Sequence, residues 1–351
     1  MTMRPMTING RLIGPGQPAY IIAEMSGNHG QSFDRAAQIV HEASRCGADA
    51  IKFQTYTPDT LTIDCDNEYF KINGTLWEGR NLYHLYGEAY TPWEWQPKLK
   101  EVADSLGMDC FSTPFDSAAV EFLEAMAVPA HKIASFELVD LSLIRKVAQT
   151  GKPTIMSTGM ASLAEIREAV EAFQDAGGKQ LALLKCTSAY PSPPEEMNLR
   201  TIPHLAETFN VPVGLSDHTL GIAVPVAAVT VGACIIEKHL TLSRAAPGPD
   251  SAFSLEPIEF KAMVAAVREV ERALGTVNYE ITEQEKVSRA FRRSLFAVDD
   301  IEAGEPFTNQ NTRSIRPGYG LAPKHLERLL RARAKAHIAR GTPLSWELVE
   351  G

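Results

Sequence analysis

Two hydrophobic rhythms alternate along the chain. Short apolar runs rich in β-branched residues read as buried strands. They lie at 19–24 (AYIIAE), 48–54 (ADAIKFQ), 108–114 (MDCFSTP), 131–135 (HKIAS), 153–159 (PTIMSTG), 181–187 (LALLKCT), 211–217 (VPVGLSD) and 234–240 (CIIEKHL). Between them apolar positions recur at helical spacing, as in DRAAQIVHEASRCG, DSAAVEFLEAM and LAEIREAVEAFQDAGG. These segments begin at Asp, Ser or Leu-Ala and several stop at Gly, as helices do. Strands alternating with helices predict a parallel sheet. Eight such units in about 255 residues match the count and length of a (β/α)8 TIM barrel. A doubly wound sheet competes, but it gives no reason for stopping at eight.

The rhythm breaks after Leu274. A polar stretch beginning GTVNYEITEQEKV reads as a linker over 275–287. From 288 to 351 short strands and turns are expected, without helical periodicity until KHLERLL. The predicted organisation is thus a barrel over 1–274, a linker, and a small mostly-β domain.

A barrel places its chemistry at the C-terminal ends of its strands, and every predicted strand ends in polar residues. In order these are Glu24; Lys52 and Gln54; Ser112 and Thr113; Lys132 and Ser135; Ser157 and Thr158; Thr187 and Ser188; Ser216, Asp217 and His218; and Glu237 and His239. Side chains alternate along a strand, so Glu237 and His239 point one way and Lys238 the other. His218 ends the neighbouring strand. Two His from adjacent strand ends, with Glu237 and Asp217 beside them, suit a divalent cation and its supporting partners. With water and substrate completing the shell, Mn²⁺, Mg²⁺ and Zn²⁺ all fit, and spacing does not choose among them. The plainer alternative is a pair of His satisfied by carboxylates in an ordinary core. Lys52 and Lys132, with Ser135, Ser157, Thr158 and Ser216, would surround an anion carrying carboxylate and phosphate groups. A lone barrel lysine could instead form a Schiff base, as in an aldolase, but that reaction needs a desolvated lysine without a metal beside it.

Composition excludes several classes. With 44% hydrophobic and 22% charged residues, the chain reads as a globular protein. The first residues, MTMRPMTINGRLIGPG, lack the apolar segment of a signal peptide. No apolar run approaches ~20 residues, so no membrane span is expected. Five scattered cysteines, at 46, 65, 110, 186 and 234, suggest reduced thiols in a cytoplasm rather than disulfides or a zinc ribbon. Cys186 reads as a buried structural thiol, and His29 as either a sugar neighbour or a loop cap. Net charge is −9, yet residues 288–351 carry nine Arg and two Lys against seven Asp or Glu, a balance of +4 that leaves −13 on the rest. This reads as complementarity between domains. Without a basic run interleaved with aromatics, no nucleic-acid partner is expected.

The ordered strings IAEMSGNHG, AIKFQTY, FSTPFD, KIASFE, MSTGMA, CTSAYPSP, LSDHT, EKH and PGPD resemble the sialic acid synthase family, across nearly the whole chain. The tail is similar to that family's small C-terminal domain, which shares the SAF fold of type III antifreeze proteins. The resemblance implies a transferase that condenses phosphoenolpyruvate with an amino-sugar aldehyde, using a divalent metal. Mn²⁺ is the first expectation, with Mg²⁺ or Co²⁺ in its place. It implies phosphoenolpyruvate held by Lys52, Thr113, Lys132, Ser135, Ser157, Thr158, Ser188 and Ser216, and metal held by His218 and His239. The sugar would be held by Glu24, Gln54, Tyr190, Asp250 and Arg316. The last, in IRPG, would come from the C-terminal domain of the other subunit in a homodimer. Glu237, Glu24, Lys52 and Lys132 would carry the chemistry, with water activated by the metal or by Glu237, whose strand face favours it. Where the family has CTNxYP this chain has CTSAYP, so a hydroxyl at Ser188 replaces an amide at the phosphoenolpyruvate site.

Between the second strand and its helix runs a long loop, with nine of the chain's 27 aromatic residues between Tyr56 and Trp95. Long loops within compact domains are usually functional. Aromatic faces suit a sugar with deoxy and N-acetyl groups, and a hydrophobic plug is the simpler alternative. The strings GTLWEG and EAYTPWEW resemble the pseudaminate-forming branch, implying 2,4-diacetamido-2,4,6-trideoxy-L-altrose as acceptor. The N-acetylneuraminate and legionaminate branches are the rivals, and a sugar-binding protein without turnover is the remote alternative.

Overall fold

The computed structural model describes residues 5–246 and 248–350, so Pro247 of the PGPD motif lies outside them. The chain divides into two compact units, Met1–Gly275 and Thr276–Gly351.

The first unit opens with a hairpin, β1 (Met6–Ile8) and β2 (Arg11–Ile13). Its turn is Asn9-Gly10, with φ of 46° and 80°. Positive φ at both residues is what a tight hairpin turn with the right twist requires, and Asn-Gly supplies it. Eight parallel strands follow: β3 (Tyr20–Glu24), β4 (Ala50–Thr55), β5 (Asp109–Pro114), β6 (His131–Ile133), β7 (Thr154–Ser157), β8 (Leu181–Cys186), β9 (Val213–Asp217) and β10 (Ile235–His239). They pair in sequence order, and β10 closes on β3. Each lies inside one of the eight apolar runs, apart from a residue at the end of β4. The expected TIM barrel is therefore the observed fold.

The period-2 alternation of strands divides their residues into two sets. Ile21, Ala23, Ile51, Phe53, Cys110, Met156, Leu183 and Ile236 face outward, packing with Ile39, Val40, Leu99, Val120, Val147, Phe173 and Met263 of the surrounding helices. Tyr20, Ile22, Ala50, Phe111, Ile155, Ala182, Leu184 and Ile235 face inward, clustered with Met6, Ile8 and Ile13 of the hairpin. The hairpin thus closes the N-terminal end of the barrel with apolar side chains. Gly214 belongs to this interior: a Cβ there would sit 2.3 Å from the Ile235 carbonyl oxygen. Apart from Asp109, which accepts the Tyr20 hydroxyl at the N-terminal end, the polar inward positions gather at the C-terminal end.

Lys238 and Asp217 take the outward parity and pair with each other, Nζ to Oδ2 at 2.5 Å, both fully buried. Lys238 also donates to the Thr219 carbonyl, while Asp217 accepts from the Thr219 N–H and hydroxyl. Asp217 is therefore not a partner of His218, as the sequence had suggested; its carboxylate is occupied on the other side of the strand.

The long segment after β4 is not a bare loop. It contains helices at Pro58–Leu61 and Leu82–Ala89 and a 3-10 turn at Trp93–Trp95. Many of its aromatics are plug: Tyr56 packs on Phe115 and Tyr86, Trp93 on Phe122, and Trp95 on Phe33 and His29. His29 is fully buried. Its Nδ1 accepts the Gln31 N–H and its Nε2 lies 3.3 Å from the Thr91 hydroxyl. It therefore caps the loop after β3 and ties it to the aromatic segment.

In the second unit β11 (Ser294–Ala297) and β12 (Thr312–Ile315) pair antiparallel. Around them Leu295, Ile301, Phe307, Leu329, Ile338 and Leu344 form a separate small core. The polar stretch expected as a linker carries a short helix, Glu283–Ser288, begun by a Thr282/Glu285 capping box. All five cysteines are free, and no helix among the described residues is long and apolar enough to cross a membrane.

Two stability predictions follow from these contacts. Removing one partner of a buried ion pair strands the other charge, at a cost of about 3–5 kcal/mol. Asp217→Ala and Lys238→Ala should each lower denaturant stability by that order, while Asp217→Leu/Lys238→Met should recover much of it; single variants that melt like the wild type would refute this. Burial pushes the His29 imidazole down from 6.5 to about 4, so the fold favours its neutral form. That contribution is complete above pH 6.5 and is lost as pH falls toward 4, amounting to about 3 kcal/mol. The melting temperature of His29→Gln should accordingly fall less steeply than that of the wild type across this window, and parallel curves would count against it.

Candidate active site

The inward residues at the C-terminal barrel end form one connected set. Adjacent registers bring Glu24 beside Lys52, and Glu237 beside Ser216. Lys52 Nζ lies 2.5 Å from Glu24 Oε2, 3.7 Å from Glu237 Oε1 and 3.3 Å from the Thr113 hydroxyl. Lys132 Nζ lies 3.8 Å from the same Glu237 oxygen and donates to the Ser157 hydroxyl at 2.7 Å. Ser216 donates its hydroxyl to Glu237 Oε1 at 3.2 Å. Gln54 Nε2 donates to Glu24 Oε1 and to the Ser26 hydroxyl. Asp250, also buried, accepts the Gly27 N–H at 3.0 Å.

Two carboxyls flank Lys52, and their surroundings separate them. Burial raises the Glu24 carboxyl to about 7, against the opposing pull of Lys52. Burial acts on Glu237 too, but Lys132, Lys52 and His218 outweigh it and hold that carboxylate below its usual range. A pair of carboxyls pushed in opposite directions is a familiar basis for dividing acid and base roles. It also sets two lysines against one firmly ionised carboxylate, with burial pushing Lys132 down.

His218 and His239 lie side by side, ring centroids 5.3 Å apart. His218 Nδ1 faces the Thr187 carbonyl at 3.2 Å. Burial opposes its charge, but Cys186, the Thr187 carbonyl and Asp217 outweigh burial and raise the His218 imidazole. In its neutral form, with Nδ1 donating, the ring would offer its Nε2 lone pair. The buried Nδ1 of His239 and Oε2 of Glu237 have no hydrogen-bond partner. Burial, then His218 and the lysines, push the His239 imidazole well down, so it stays neutral as a ligand must. No three His, Cys, Asp or Glu side chains converge as a metal group among the described residues. The two imidazoles expected from the sequence therefore stand together at the strand ends, with one unpartnered ring nitrogen on His239 and one unpartnered oxygen on Glu237.

Ser135 and Ser188 flank Gly159, whose N–H donates to the Ser135 hydroxyl at 3.0 Å; a Cβ on Gly159 would collide with both hydroxyls. Thr158 directs both its hydroxyl and its N–H to the Leu184 carbonyl, so neither proton is available to a ligand. Tyr190 stacks on His218 at 4.5 Å and on Phe253 at 5.1 Å. Arg316 belongs to the second unit, exposed just after β12.

Cys186 is a buried free thiol, as expected. Its Sγ lies 3.9 Å from His218 Nδ1 and 3.7 Å from the Ser188 hydroxyl. Burial would raise the thiol, but His218 and the two serines outweigh it and bring it to about 7. Cys186 shares parity with the inward Leu184, whereas Thr187 donates its hydroxyl to the Glu196 carbonyl.

Residues 39–279 match the NeuB family and residues 292–350 the SAF domain. The chain belongs to the NeuB, or sialic acid synthase, family. It is 47% identical to the pseudaminic acid synthase of Campylobacter jejuni over 325 residues, covering 93% of this chain and 95% of that protein. It is 44% identical to the pseudaminic acid synthase of Helicobacter pylori over 335 residues, covering 95% and 98%. The crystal structure of N-acetylneuraminic acid synthetase from Leptospira borgpetersenii, in complex with citrate, superposes with a TM-score of 0.73 at 32% identity, over 82% of this chain and 95% of that one. Its family relatives are nonulosonate synthases, which places the acid–lysine cluster in an enzyme's barrel.

Replacing the carboxylate shared by both lysines is the sharpest test of that cluster. Glu237→Gln should lower turnover by about 100-fold or more, the range of a lost acid–base group, while circular dichroism stays native. A folded variant with near-normal turnover would show that Glu237 is only a counter-ion.

Proposed function

We propose that this chain is a metal-dependent pseudaminic acid synthase. On this reading it condenses phosphoenolpyruvate with 2,4-diacetamido-2,4,6-trideoxy-L-altrose and releases phosphate by C–O cleavage. The observation that carries the reading is the Glu24–Lys52–Glu237–Lys132 chain beside His218 and the neutral His239; the family relatives above give it direction.

Lys52 and Lys132, with the hydroxyls of Thr113, Ser135, Ser157 and Ser216 and the backbone beside Thr158 and Ser188, hold the carboxylate and phosphate. They fix C3 of phosphoenolpyruvate toward the acceptor and so convert a bimolecular step into a positioned one. Glu24, Gln54, Tyr190 and Asp250 hold the open-chain sugar, and Arg316 reaches it from the partner subunit of a homodimer. His218 Nε2 and His239 Nδ1 would hold the divalent cation, Mn²⁺ by preference and Mg²⁺ or Co²⁺ in its place. When bound it supplies Lewis acidity toward the aldehyde oxygen. C3 forms its bond to the aldehyde carbon, leaving positive charge at C2 beside the ionised Glu237. Water adds to C2 as Glu237 takes its proton; the C2 hydroxyl then gives its proton to the departing phosphate as C2=O forms and the C2–O bond to phosphate breaks. The Glu24 carboxyl, raised to about 7, holds a proton beside the new alkoxide.

Phosphate release by metal-stripped protein, with Mn²⁺ restored, tests the reading when the diacetamido-trideoxy-altrose and N-acetylmannosamine are compared side by side. Mn²⁺-dependent release with the first sugar alone is expected. Release only with N-acetylmannosamine would move the chain to the sialate branch. Silence with both would favour a legionaminate acceptor or a binding protein.

A further inference from the structure

Among the aromatics of the long β4 segment, Trp77 differs from those packed as plug. It sits in a turn closed by backbone bonds from Ile72 to the Arg80 carbonyl and from Gly79 to the Ile72 carbonyl, above an antiparallel bridge between Lys71 and Asn81. The base of that turn is anchored by Asn81, which donates to the Cys65 carbonyl, and by an Arg80–Glu88 ion pair. The turn is thus a built platform. Its indole N–H donates to the Pro249 carbonyl at 2.9 Å. The half-buried ring tilts against Tyr190 with centroids 5.6 Å apart, and Tyr190 in turn covers His218. Pro249 precedes Asp250, whose carboxylate holds the loop after β3. A rigid indole therefore stands at the mouth, one ring away from the histidine pair.

We propose that Trp77 is the acceptor-specificity residue, an apolar wall for the methyl groups of an amino-sugar aldehyde, oriented by its bond to Pro249. The inference rests on the functional reading above. Indole offers a large rigid face at low entropic cost, and methyl-bearing sugars present complementary apolar groups. A hydroxyl in place of a methyl would be desolvated against that face without a partner, which disfavours sugars lacking the 6-deoxy group.

The test compares wild type with Trp77→Phe and Trp77→Ala, measuring KM for sugar and for phosphoenolpyruvate separately, together with melting temperature. Trp77→Ala should raise KM for the diacetamido sugar roughly tenfold or more, the scale of a lost apolar pocket contact, and leave KM for phosphoenolpyruvate unchanged. Trp77→Phe, which keeps a ring and loses the N–H, should fall between. Preference for that sugar over N-acetylmannosamine should shrink in the same order. An unchanged sugar KM in Trp77→Ala, or both KM values rising together with a lower melting temperature, would overturn the proposal. Sugar-induced fluorescence change in metal-stripped protein with phosphoenolpyruvate provides a readout without turnover, expected in wild type and absent in Trp77→Phe. If the wild type turns over no sugar, the functional reading fails, and the fluorescence titration still decides whether Trp77 meets a sugar; persistence of the signal in Trp77→Phe would refute it.

Discussion

Two ammonium groups inside a closed barrel set the terms for everything around them. Each is costly to bury unless paired, and both lie within 4 Å of a single oxygen of Glu237. That carboxylate cannot be protonated without leaving the lysines short of charge. Glu24, pressed by the same burial and by its neighbour Glu237, is the one whose carboxyl rises. The cluster thus divides into an ionised carboxylate, a protonatable one beside Lys52, and two lysines that share the ionised one. On the proposed reading the substrate's carboxylate and phosphate meet those lysines.

The string Glu237-Lys238-His239 shows how strand geometry makes such a cluster possible. Alternation sends Glu237 and His239 into the barrel and Lys238 among the helices, where Asp217 meets it. The same parity on β9 sends Ser216 and His218 inward and Asp217 outward. Three consecutive ionisable residues therefore serve two purposes: the odd-numbered ones serve the site, while Lys238 closes a buried pair holding β10 to the turn after β9. The N-terminal half of the interior contributes differently, since mainly apolar side chains fill it beside the hairpin, with the Tyr20 hydroxyl donating to Asp109. Stability and chemistry are separated along the barrel axis, as barrels permit.

The barrel was legible because its signal is repetitive: eight apolar runs, each long enough to bury, with polar residues at one end. Parity also made most of the site legible, including the shared side of Glu237 and His239. The same alternation carries a correction to the site: adjacent strand residues point apart, so Asp217 faces Lys238 and not His218. The hairpin was missed despite its Asn9-Gly10 turn, because three-residue strands carry too little alternation to stand out. The aromatic segment was beyond sequence reading for another reason. Its residues are brought to their partners by long-range contacts, such as Trp93 with Phe122 and Trp77 with Tyr190, which no local period encodes.

That last distinction bears on how one barrel can serve several acceptors. The lysines, serines and histidines sit on strand ends or immediately after them, fixed by a hydrogen-bonded barrel that tolerates little displacement. On the proposed reading they handle phosphoenolpyruvate, while the acceptor is met both by strand residues, Glu24 and Gln54, and by side chains that loops deliver. A loop can change length and composition without disturbing barrel closure. Trp77 is such a delivery: a turn with its own backbone bonds presents one ring to the mouth, and the ring is fixed from the far side by Pro249. Specificity can then drift by altering the platform while the acid–lysine cluster, whose members cannot be changed singly without stranding a charge, stays as it is.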